Sequence, residues 1–162
     1  MNEVPEWLWA PVSAAVLTAA VGVTGLWAGM PWLFPSLGPT IFLQVHRPDL
    51  ASARPWNVLA GHAAGIAGGI VGVLLLAAQD APPVLSANVL TWPRLWAAVI
   101  AMALTLAIQV PIKASHPPAA ATALLIALGG FSLTPREITV LVAGVLLVAV
   151  LGEGVRQLRR KE

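Results

Sequence analysis

An all-α integral membrane protein is the fold class this sequence predicts, and three observations carry it. Only 10% of the residues are charged against 58% hydrophobic, where a soluble domain carries about 25% charged residues. Four stretches reach the roughly 20 apolar residues that a membrane-spanning helix needs. The 14 glycines and 14 prolines lie among those apolar residues, the pattern of closely packed and interrupted spans.

The first span is expected from about Trp7 to Gly29, with Trp7 and Trp9 as interfacial anchors. The start Met1-Asn2-Glu3-Val4-Pro5-Glu6 is acidic where a cleaved signal would be basic, so this segment is expected to stay as a span. The second runs from about Pro55 to Ala78 and the third from about Trp92 to Ile112, each with a proline in its first turn. The fourth runs from about Pro135 to Gly154, behind a capping box at Thr134-Pro135-Arg136-Glu137. Two apolar pieces are left over. Pro39 to His46 would give roughly 12 Å of helix and Pro117 to Gly129 roughly 20 Å, both short of a hydrocarbon core of about 30 Å. They read as re-entrant half-helices, the second stopped by Gly129-Gly130.

Span, proline-broken loop, half-helix and span thus follow one another twice. This predicts a two-fold internal repeat inside a single membrane domain of residues 1–162, with repeat 1 at about 5–80 and repeat 2 at about 88–158. Both half-helices would lie on one side, as in a parallel repeat. Four spans put both termini together, on the side of Arg94, Arg156, Arg159, Arg160 and Lys161, with Arg47, Arg54, Lys113 and Arg136 opposite. Taking Lys113 as buried, the charge balance favours cytoplasmic termini in a bacterial-type inner membrane. The four-residue spacing of Gly61, Gly65 and Gly69, overlapped by Gly68 and Gly72, predicts close helix contacts. Gly22, Gly25 and Gly29 ask for a close partner to the first span. So small a bundle also suggests a homo-oligomer.

The polar interruption Lys113-Ala114-Ser115-His116-Pro117-Pro118-Ala119-Ala120-Ala121-Thr122 is the candidate site, and Ser36-Leu37-Gly38-Pro39-Thr40 is its counterpart. Each opens a half-helix, and the N-terminal end of a helix is positive. Ser36, Thr40 and Ser115 offer hydroxyl donors, and Gly38 lets a ligand approach the backbone. Pro117 and Pro118 remove two amides and fix the entry to the helix, leaving amides such as those of Ala119 and Ala120. Lys113 would add a cation at membrane depth, where charges usually face a cavity. His116 could donate to an anion, accept a coupled proton, or fix the loop through a carbonyl. His62 and Asn57 in the second span are further candidates.

Other chemistries find less support. Cysteine is absent, so disulfides, thiolate metal sites and thiol nucleophiles fall away. His46, His62 and His116 lack metal-ligand spacing, so no metal or other cofactor is expected. Ser115 and His116 adjoin without a supporting aspartate, so the chain is not expected to be an enzyme. Glu153 should pair with Arg156 or Arg94. The net charge of +2 rests mostly on the C-terminal arginines and lysine, which argues against a nucleic-acid partner.

Ser115-His116-Pro117-Pro118-Ala119-Ala120-Ala121-Thr122-Ala123-Leu124 resembles the defining motif of the HPP family of integral membrane proteins. Arg54-Pro55-Trp56-Asn57-Val58-Leu59-Ala60-Gly61-His62 resembles that family's second signature, and Ser36–Thr40 occupies the place of its glycine-containing segment. The chain departs from the pattern at Leu37-Gly38-Pro39-Thr40 and at Trp56. The resemblance implies four transmembrane helices. Because some members are associated with nitrite transport, it also implies a small inorganic anion as cargo. The expectation is a transporter or channel for such an anion; the alternative is a non-transporting structural or regulatory membrane module.

Overall fold

The computed structural model describes residues 4–161, without the side chains of Arg160 and Lys161. The acidic residues Glu3 and Glu162 therefore lie outside the described residues. The helices are α1 (Glu6–Ala28), α2 (Leu37–His46), α3 (Pro55–Leu75), the single turn α4 (Val84–Ala87), α5 (Trp92–Gln109), α6 (Pro118–Ala127) and α7 (Pro135–Lys161). Four of them, α1, α3, α5 and α7, are long and apolar enough to cross a membrane. They match the expected spans to within a few residues, except that α7 continues past Gly154.

Local chemistry explains the ends. Pro55 and Pro93 sit in first turns, where a missing N–H costs nothing. At the start of α7, Glu137 N donates to Thr134 Oγ1 at 3.3 Å, which is half of a capping box. The Glu137 carboxylate accepts from the amide of Ser132 instead of closing the other half. α6 stops at Gly129, whose φ of +83° favours glycine, with Gly130 N donating to Leu125 O at 2.8 Å.

The direction of each pass follows from what it touches. His46 Nδ1 lies 2.9 Å from Glu6 Oε1, so α2 ends where α1 begins. Between them, Met30–Leu33 doubles back along α1. A Cβ on Gly25 would lie 2.8 Å from Met30 O, and one on Gly22 would lie 2.8 Å from Leu33 Cδ1. These glycines make room for extended chain, not for another helix. Extended chain rises about 3.3 Å per residue, so residues up to Phe34 carry the chain back past Gly22 before a turn at Pro35-Ser36 leads into α2, which adds about 15 Å. Together they run the length of α1, about 34 Å at the helical rise. The segment therefore does not re-enter; it goes from one end of the molecule to the other. The length criterion missed this because it gave every residue the helical rise.

The second short helix behaves likewise. Asn57 Nδ2, near the start of α3, donates to Lys113 O at 3.3 Å and Ser115 O at 3.1 Å. From there α6 follows α3, with Gly65 against Ala119 and Gly69 against Ile126. α5 runs the other way, with Gly72 at Ala97, Gly68 at Ala101 and Gly61 O accepting from Gln109 Nε2 at 3.3 Å. α7 returns past Phe34 at Gly144 and Gln44 at Gly152 to Arg159, which lies 3.0 Å from Glu6. Thus α1, α3 and α6 run from the terminal end to the distal end, and α2, α5 and α7 run back. The short helices point in opposite directions, which corrects the expectation of a parallel pair on one side.

The core joins Leu17 and Val21 of α1, Leu37 and Ile41 of α2, Ile126 of α6 and Leu141 of α7. Each short helix also leaves its last turn beside a buried arginine. Arg94 Nη1 donates to Ala127 O at 3.1 Å and Nη2 to Ala81 O at 2.9 Å, so Arg94 is not the partner of Glu153. Arg156 instead pairs with Glu153 at 2.6 Å and donates to Pro48 O at 3.2 Å, just beyond α2. A cation is favourable beside the negative end of a helix.

Candidate functional site

The first turns of α2 and α6 overlap side by side in opposite directions. Ser36, just before α2, meets Thr122, one turn into α6, with Thr122 Oγ1 2.7 Å from Ser36 Oγ. Thr40, one turn into α2, meets His116, just before α6, with Thr40 Oγ1 3.0 Å from His116 Nε2. His62 of α3 closes the cluster. Its Nδ1 lies 2.8 Å from Thr122 Oγ1, and its Nε2 lies 3.0 Å from Thr40 Oγ1 and 3.3 Å from His116 Nε2. All five side chains are fully buried. Neither short helix has a side chain capping its N-terminus, and the first turn of each flanks this cluster.

A shell of amides holds it. His116 N donates to Gln109 Oε1 at 3.1 Å, and Gln109 in turn reaches Gly61 O. His116 Nδ1 lies 2.7 Å from Ser52 O. A carbonyl only accepts, so this nitrogen carries the hydrogen and Nε2 of a neutral His116 is bare. Gly61 permits the arrangement, since a Cβ there would lie 2.5 Å from the His116 Cβ. One turn beyond Thr40 on the same face of α2 comes Gln44, also fully buried. Its carboxamide sits over Gly152, and neither its oxygen nor its nitrogen has a hydrogen-bond partner among the described residues.

Of the residues singled out from the sequence, His116, His62, Ser36 and Thr40 come together. Pro118 and Ala119 are buried against α3, and Asn57 ties down the loop before His116. Lys113, Ser115, Pro117 and Gly38 are exposed instead. Lys113 adopts φ +53° as α5 ends, and only its carbonyl is engaged by Asn57. The cluster therefore has no cation from Lys113. Nor do the amides just inside α6 point at a ligand: Ala119 N donates to His116 O and Ala120 N to Pro117 O, both at 3.0 Å. The donors are side chains. His46 stands apart, with Glu6 at the terminal end.

Gln109, Gln44 and the Ser52 carbonyl were not anticipated, and Thr122, inside the Lys113–Thr122 stretch, had no role of its own. Gln109 and Gln44 did carry a signal, as polar residues within apolar helices, and Ser36, Thr40 and Gln44 share the four-residue spacing of one helical face. Thr122 in an alanine run carried none. Chemically, the cluster offers hydroxyls and imidazoles with no carboxylate hydrogen-bonded to them, a setting suited to donating hydrogen bonds to an anion.

A family model described as "HPP, transmembrane region" matches residues 1–161. No curated protein and no solved structure matches the chain.

Proposed function

We propose that this chain, which belongs to the HPP transmembrane family, is a transporter for a small inorganic anion of the nitrite type and not an enzyme. The overlap of two uncapped helix N-termini at a buried cluster of donors carries the reading. The partial positive charge of the two first turns that flank the cluster favours an anion there. Ser36, Thr40, Thr122, His62 and His116 supply the donors. The opposed courses of α2 and α6, each following one long helix and preceding another, support an inverted repeat. In that arrangement α1, α2 and α3 correspond to α5, α6 and α7, as in transporters that alternate access around a central site.

The same courses strengthen the orientation. All nine basic residues except Arg94 and Arg136 occupy chain positions toward the terminal end, where the four-pass arrangement gave nearly equal shares. That asymmetry supports cytoplasmic termini, and a bacterial-type inner membrane is the proposed location. A second copy of the chain is the proposed partner within the bilayer. Nitrite uptake by proteoliposomes tests the function: uptake above protein-free vesicles is expected, with loss in Thr40→Val, and uptake no faster than in empty vesicles ends the reading.

One observation favours a structural module instead, because the cluster's ring nitrogens and hydroxyls already find partners within the fold. That reading predicts that Thr40→Val lowers thermal stability while nitrite leaves the melting temperature of both forms unchanged.

A further inference from the structure

We propose that the His62–His116 pair takes up one proton, and only one, with each anion that binds; this rests on the transport reading above. The hydrogen-bond geometry sets the starting state. His116 carries its hydrogen on Nδ1 because Ser52 O can only accept. Its bare Nε2 lies 3.3 Å from His62 Nε2, with the single hydroxyl of Thr40 3.0 Å from each. Two bare nitrogens facing each other would compete with each other, and with Ser36 O at 3.1 Å, for the one Thr40 hydrogen, so His62 carries its hydrogen on Nε2. The two neutral rings are thus opposite tautomers. His62 Nδ1 is then the bare atom that accepts from Thr122 Oγ1 at 2.8 Å; Thr122 has a single hydrogen, so its 2.7 Å contact with Ser36 Oγ, which can run in either direction between two hydroxyls, runs from Ser36 in this state.

This chain has two polarities, and one proton separates them. When a proton reaches Ser36, the Ser36 hydrogen passes to Thr122 and the Thr122 hydrogen to His62 Nδ1. His62 becomes an imidazolium, and Thr122 now donates to Ser36 across the same 2.7 Å. No bond other than O–H and N–H is made or broken. A second proton would have to sit on His116 Nε2, which puts two N–H groups face to face at 3.3 Å around one oxygen. Two such groups titrate as a pair and not independently.

The surroundings make the uptake depend on the anion. The groups hydrogen-bonded to the rings are Thr40 of α2, the Ser52 carbonyl and Thr122 of α6, with Ser36 bonded to Thr122 and Gln109 to the His116 amide; none of them is charged. α1 presents Leu17 and Val21 to this core, and α7 presents Leu141, Val145 and Val148. The charged residues of α7, namely Arg136, Glu137, Glu153, Arg156, Arg159, Arg160 and Lys161, occupy chain positions toward its ends. A lone imidazolium here is uncompensated, and an anion beside it removes the penalty. The proton's entry is on the distal side: a cleft of about 570 Å³ lined by Arg136, Glu137, Phe34 and Pro35 stops one residue short of Ser36.

Titration calorimetry of the purified chain in nanodiscs with sodium nitrite, in two buffers of different ionisation enthalpy, measures protons taken up per anion. Nitrogen-15 spectra of the histidine rings read their tautomers in the same samples. The expected result is opposite neutral tautomers without nitrite, and one proton taken up per bound anion with His62 doubly protonated. Thr122→Val, with folding checked by its melting curve, should lose the uptake. Nitrite heat that is equal in both buffers, alongside nitrite uptake by proteoliposomes, overturns the proton inference and leaves the transport reading standing. Absence of both nitrite heat and vesicle uptake overturns the two together.

Discussion

The two short helices begin at one place and leave in opposite directions, yet they are seated very differently. α6 lies backbone to backbone on α3, where a Cβ on Gly65 would come within 2.5 Å of Ala119 O. α2 lies against α1 and α7 through Leu37, Ile41 and Val45. Its one glycine contact, at Gly152, accommodates the far end of the Gln44 side chain. Backbone cannot yield to an intruding methyl group, while a flexible carboxamide can. α3, α5 and α6 thus form the fixed half of the molecule, and α2 is the element free to adjust.

That contrast is broken most severely at the glycine seat. Gly65→Ala should cost about 3 kcal/mol by overpacking against backbone, seen as a lower melting temperature in detergent. Gly152→Ala should cost less, because Gln44 can swing aside, and equal losses at the two sites would erase the distinction. Next comes the cluster that both helices share. Thr40→Val keeps the shape but leaves the two Nε2 atoms without their hydroxyl, which should cost about 2 kcal/mol and most of the nitrite uptake. Gln44→Leu acts in the other direction. Removing a buried carboxamide with neither atom partnered should raise stability by about 1 kcal/mol. Smallest is Lys113→Gly, which relieves a left-handed lysine on the surface and should stabilise by about 0.5 kcal/mol, again read by melting.

Hydropathy and helix-end chemistry located the four long spans and the interrupted segments between them, because those signals are local. The glycine row of α3 likewise announced its packing, although it serves α5 through Gly68 and Gly72 as well as α6. What stayed hidden was direction. Residues 31–34 carry no sign that they are extended, so their true length, and with it the course of α2, was out of reach. Arg94 and Arg156 looked like loop charges because span ends and buried helix ends carry the same residue types; only the fold brings Ala127 O and Pro48 O to them. Lys113 was misplaced for the converse reason: a proline-rich knot in an apolar chain looks deep, but Asn57 holds its backbone at the terminal end, with the side chain exposed.

The two arginines have one more consequence. Arg94 stands at the distal end beside the last turn of α6, and Arg156 at the terminal end just beyond α2. Each arginine thus serves one short helix at one end of the molecule, so losing either would loosen the end of that helix and leave the end of the other intact.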